Sequence, residues 1–155
     1  MAFRLALFAV LALAAAAPAR AELVTAKDPG KIAALLTERG YRAEIVEGKD
    51  ATYIKSSDSG APVTIFFLNC TGRTDCTTLQ FYTGYNDLKN IPLATINEWN
   101  KQRRFARAYI DNDGDPVIEM DVDMDFGGIA RENFYANLDI FLASIPKFKA
   151  HLTGK

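Results

Sequence analysis

The chain has 155 residues, 18 Lys+Arg against 19 Asp+Glu, and a formal charge of -1. That length supports one domain rather than two, and a charge so near zero argues against a general nucleic-acid binder. A single His beside two Cys leaves little material for His-based catalysis or a His-rich metal centre.

The N-terminus reads as a targeting signal. Arg4 makes a short basic start, residues 5–17 carry no charge, and Ala19-Arg20-Ala21 fits the small-x-small pattern for cleavage before Glu22. The uncharged run is shorter than the about 20 residues needed to span a bilayer. Residues 1–21 are therefore expected to be a cleaved signal peptide, and 22–155 a single exported domain not embedded in a membrane.

Asp28-Pro29 opens a helix over 28–39, with Ile32, Leu35 and Leu36 at helical spacing and Gly40 as its stop. Residues 41–47 alternate and, after Gly48-Lys49-Asp50, pair with 52–55 as a hairpin. A polar loop over 56–60 leads to 63–68, nearly all apolar, as expected of a central strand covered on both faces. A fourth strand spans 77–85. Leu93, Ile96 and Trp99 then mark one side of a second helix that ends near Arg103-Arg104. Strands over 105–110 and 117–125 flank an Asp-rich turn, and Phe134, Leu138, Phe141, Leu142 and Ile145 form the stripe of a last helix, which Pro146 is expected to interrupt or kink. The order α-β-β-β-β-α-β-β-α predicts an α+β domain with a mainly antiparallel sheet.

Cys70 and Cys76 stand between two strands expected to pair. In an exported chain with two cysteines the simplest expectation is a structural disulfide. The spacing is not Cys-x-x-Cys, and two thiolates without His lack the ligands of a zinc centre.

Asp111, Asp113 and Asp115, followed by Glu119, Asp121, Asp123 and Asp125, suggest calcium ligation, but Pro116 occupies the position where an EF-hand loop needs Gly, and Val122 the position of its bidentate Glu. A strand with Ile118, Met120, Val122 and Met124 inward places Glu119, Asp121 and Asp123 on the outer face. A two-residue turn at Asp113-Gly114 would set Arg104 opposite Asp123 and Ala106 opposite Asp121. No metal site, cofactor or catalytic residue is assigned, since no Gly-x-Ser-x-Gly elbow or phosphate loop is present and His151 lies beyond Pro146. Trp99 has two readings, a core residue packed with Ile96 and Leu93 or an anchor on a partner-binding surface.

The segment Asn97-Glu98-Trp99-Asn100, with Arg104-Phe105, Ala108-Tyr109 and residues 111–120 (DNDGDPVIEM), resembles the YbjN-type domain family, bacterial proteins labelled as sensory transduction regulators. The resemblance covers 25–150. It implies a fold similar to type III secretion chaperones, with helices packed on a twisted antiparallel sheet. Exported members are similar in carrying a signal peptide and a Cys pair like Cys70 and Cys76. The family offers no catalytic residues to carry over.

The expected function is a non-enzymatic periplasmic module, chaperone-like or regulatory, that binds another protein or a peptide, with a homodimer allowed and no nucleic acid involved. The alternatives are a ligand or metal sensor using the acidic hairpin 111–125, and a carboxylate-dependent hydrolase.

Overall fold

The computed structural model describes residues 22–154, so the expected signal peptide lies outside the described residues. The chain opens with β1 (Leu23–Val24) and turns into α1 (Pro29–Glu38). The Asp28 carboxylate accepts from Lys31 N at 3.1 Å, capping the first turn, and Pro29 sits where a missing N–H costs nothing. At the other end Gly40, with φ +82°, lets Gly40 N donate to Thr37 O and Tyr41 N to Leu36 O. Both signals act as the sequence indicates.

Next come β2 (Glu44–Glu47), β3 (Thr52–Asp58), β4 (Ala61–Leu68) and β5 (Thr78–Gly84), with β2–β3, β3–β4 and β4–β5 paired antiparallel. The expected polar loop 56–60 contracts to the turn at Ser59-Gly60, whose φ values of +49° and +84° are those a two-residue hairpin turn requires. β3 and β4 are longer than expected for that reason.

The chain continues through α2 (Leu93–Gln102), β6 (Arg107–Ile110), β7 (Pro116–Asp123), β8 (Ile129–Ala130) and α3 (Arg131–Thr153). Six strands form one sheet in the order β2-β3-β4-β5-β7-β6, while β1 and β8 make a separate ribbon. The fold is α+β and the order of its main elements is the expected one. The β1–β8 ribbon is additional, and two-residue strands carry no periodicity to read.

One face of the sheet carries Ile54, Ile65, Leu79, Phe81 and Met120, all buried. α3 covers this face, and Phe81 meets Phe141 and Phe134 at ring-centroid distances of 5.6 and 6.3 Å. No helix among the described residues is long and apolar enough to cross a membrane.

Four local expectations are corrected. Of the two outcomes expected at Pro146, interruption does not occur: α3 continues as one helix, with Ile145 and Phe148 on either side buried and the Tyr85 hydroxyl donating to Ile145 O at 3.2 Å. Tertiary contact outweighs the lost backbone bond. Leu93 is not core but 73% exposed, in the first turn of α2.

The β6–β7 register is shifted by one from the expected pairing. Arg107 faces Glu119 and Ala108 faces Ile118, and Arg104 precedes the strand. The cause is a longer loop: Asp111 Oδ1 accepts from Asp113 N at 3.0 Å and Asp115 N at 2.8 Å, and Asp111 N donates to Asp115 O at 2.9 Å. Finally, Glu119 does lie on the outer face, but it is 2% exposed rather than solvated. Its neighbours explain this.

Candidate functional site

Trp99 is a core residue, and the anchor reading is corrected. It is 1% exposed, its Nε1–H donates to Ala106 O at 3.3 Å, and its ring meets Phe148 edge-on at 5.0 Å. α2 has only Ile96 and Trp99 to bury, one turn apart, and both face inward beside α3. His151 is used structurally, with Nε2 2.8 Å from Thr95 O.

Cys70 and Cys76 are bonded to each other across the loop between β4 and β5. That loop is also tied to the β2–β3 turn, since the Arg73 guanidinium donates to Lys49 O at 2.6 Å and Gly48 O at 2.8 Å. The bridged loop is therefore held to the end of the sheet where β2, β3, β4 and β5 turn.

The larger feature is the sheet's other face. Residues of opposite parity to the core bring Tyr53, Phe66 and Tyr82 onto neighbouring strands, with ring centroids 5.9 and 5.6 Å apart. Tyr82 pairs in register with Glu119, and the Glu119 carboxylate accepts from the Tyr109 hydroxyl at 2.9 Å and is ion-paired with Arg107. A row of side chains thus crosses from β3 to β6, half-buried by its own members. Burial, then the hydrogen bond to Glu119, push the Tyr109 hydroxyl well above the usual tyrosine range. Burial, followed by Asp111 and Glu119, raises Tyr82 as well. Both hydroxyls stay protonated at neutral pH, and that of Tyr109 is a hydrogen-bond donor to Glu119.

Tyr53, Phe66 and Tyr82 were not singled out in the sequence, and Tyr109 entered only through the family resemblance. The available signal was parity: an aromatic residue at alternate, non-core positions of several strands marks a second apolar face. Strand pairing was needed to align them.

One edge of the sheet is closed by a side chain. At β6 the Asn100 side chain donates to Ala108 O at 2.9 Å and accepts from Ala108 N at 2.8 Å, taking the place of a further strand. This explains the polar face of α2.

The acidic hairpin is largely occupied by its own structure. Asp111 closes the loop as described, Asp115 is ion-paired with Lys89, and Asp121 accepts from Gln80 Nε2 at 2.8 Å. No group of three or more His, Cys, Asp or Glu is placed to hold a metal ion among the described residues.

A cavity of about 520 Å³ lies between the β3–β4 turn and α3, with Asp58, Asp87 and Lys149 at its walls and Tyr85 and Pro146 among its apolar lining. Burial, then Asp87, push the Tyr85 hydroxyl up to about 12.

These features define an α+β domain with one helix-covered sheet face and one bare aromatic face. The chain belongs to the YbjN family: the model of that family, described as "Putative bacterial sensory transduction regulator", matches residues 28–153. The family is the one that the 97–120 segment resembles. Comparison with curated proteins finds no match. Among solved structures, the heterodimeric complex ExoU-SpcU from the type III secretion system of Pseudomonas aeruginosa contains a similar chain, with a TM-score of 0.48 and 13% identity over 80% of this chain and 99% of that chain.

Proposed function

We propose that the protein is an exported, non-enzymatic module that docks another protein or a peptide across the bare face of its sheet, in a regulatory role. The observation that carries this is the continuous row Tyr53, Phe66, Tyr82 and Tyr109 on a surface that its helices leave uncovered. Cross-strand aromatic pairs stabilise a sheet by only about 0.2–1 kcal/mol each, a modest return for a water-facing position. Aromatic residues that stay half-exposed are the groups that supply most energy at protein interfaces.

Size is adequate. Six strands at about 4.8 Å spacing and up to eight residues at about 3.4 Å span several hundred Å², the scale of one side of a standard interface. The family description favours regulation over chemistry. Export is supported by the 1–21 pattern and by the Cys70–Cys76 bond, which an oxidising compartment sustains.

The test is site-specific photo-crosslinking in the periplasm of the native host, with the reactive residue at position 66 on the bare face or at position 136 on the exposed side of α3. A discrete protein adduct is expected from position 66, absent from 136 and lost on Tyr82→Ala. The same adducts from both positions, or none from 66, would overturn the proposal, and so would recovery of the protein from the cytoplasm alone.

A further inference from the structure

Two adjoining open concavities of about 340 and 410 Å³ lie between the C-terminal end of α2 and the C-terminal half of α3 and share Arg103 and Lys147. Arg104 and Phe105 stand at the first, above an apolar floor that includes Ile140 and Ala143. No carboxylate lines either one among the described residues. Arg103, Arg104 and Lys147 form no ion pair with the described residues. In a chain where acids outnumber bases, three cations gathered without a counter-charge require a reason.

Two of the cations lie against aromatic rings. The Arg103 guanidinium lies 5.5 Å from the centroid of the Trp99 ring and that of Arg104 5.0 Å from Phe105, so both are positioned by aromatic faces. Ala106 N donates to Arg104 O at 3.0 Å around Phe105, whose φ is +73°. This is a three-residue turn of the strained kind, which a bulky side chain rarely occupies. It is held on its C-terminal side, by Trp99 Nε1 on Ala106 O and by Asn100 on Ala108. The outcome of that strain is a Phe105 ring 61% exposed beside two guanidinium groups. Cations commonly complement a helix C-terminus. That accounts for Arg103 but not for Lys147 on another helix, nor for the exposed ring.

We propose that this groove docks an acidic peptide segment of a partner protein that carries an apolar side chain. Its carboxylates pair with Arg103, Arg104 and Lys147, and its apolar side chain lies between Phe105 and the floor of the first concavity. A concave site with an apolar floor suits a peptide better than a flat lipid surface or a bare phosphate. The site is independent of the sheet face and opposite to it in character, since that face carries Asp121 and Asp123.

The experiment uses the full mature chain and a fluorescein-labelled hexapeptide of two central leucines flanked by paired glutamates, read by anisotropy at low and high salt. Saturable binding is expected, weakened at least tenfold by Arg104→Glu, abolished by Arg103→Glu with Arg104→Glu, and unchanged by Lys49→Glu, a cation elsewhere. The same peptide with serines for leucines should bind several-fold more weakly. Phe105→Gly should weaken binding while leaving the melting temperature equal or higher, because glycine accepts the positive φ without strain. No binding of the leucine peptide, equal binding of the serine peptide, or binding of anionic lipid vesicles or inorganic phosphate in preference to the peptide would each overturn the proposal.

Discussion

The Tyr109 hydroxyl donates to the Glu119 carboxylate at 2.9 Å, and the two residues lie on adjacent strands of the sheet's bare face. Glu119 is 2% exposed, although it sits on the side that no helix covers. What buries it is the row of which it is part: Tyr109 and Arg107 from β6, and Tyr82 from β5.

Tyr109→Phe should therefore destabilise the protein by about 1.5–3 kcal/mol, the range for a hydrogen bond to a charged group. Glu119→Ala should be tolerated better than a buried carboxylate usually is, because Arg107 can return its charge to water. Urea unfolding of the two variants measures the difference. A Tyr109→Phe variant as stable as the parent would contradict the arrangement.

Tyr85 gives a pH dependence. Its hydroxyl titrates at about 12 in the fold because of burial, then Asp87, against the ordinary 10.0. The folded state thus holds this proton more tightly than the unfolded chain. Its contribution is fully present below pH 10 and is lost progressively as the pH rises from 10 to about 12. Stability should decline over that interval, and the slope should be shallower in Tyr85→Phe, measured by denaturant midpoints at successive pH values.

Trp99→Ala should cost about 3–5 kcal/mol, the range for truncating a buried large aromatic residue. Trp99→Phe should cost less, since Phe148 retains a ring to pack against. Thermal melting with near-UV circular dichroism distinguishes this from loss of a surface contact, which would leave the melting temperature unchanged.

The Cys70–Cys76 bridge closes a short loop, for which the chain-entropy relation gives about 2–3 kcal/mol. Cys70→Ser should lower the unfolding free energy by that amount, and reductant should do the same to the parent protein. Thiol titration of the unreduced, denatured chain should find none free.

Calcium at submillimolar concentration should leave the melting temperature unchanged, because Asp111 already accepts two backbone N–H groups and Asp115 is held by Lys89. Asp111→Ala should instead destabilise the β6–β7 hairpin by about 1–2 kcal/mol through loss of those bonds. A calcium-dependent rise that disappears in Asp113→Ala would favour a metal sensor.

Sequence alone determined whatever rests on local chemistry. Asp28, Pro29 and Gly40 bound α1 because capping and positive φ are properties of single residues and their immediate neighbours. The pairing of two cysteines was legible for the same reason, whereas β4, expected to be covered on both faces, buries only alternate residues and leaves the Phe66 side without a helix. Tertiary structure decided what depends on register and on packing between distant segments. A side-chain bond at Asp111 lengthened one loop and shifted a strand pair by one residue. Buried Ile145 and Phe148 carried α3 through Pro146. Tyr53, Phe66, Tyr82 and Tyr109 became one surface only when their strands paired, and Phe105 joined Lys147 only when α2 met α3. Local propensity acts over a few residues, whereas the surfaces available for binding are assembled from residues far apart in the chain.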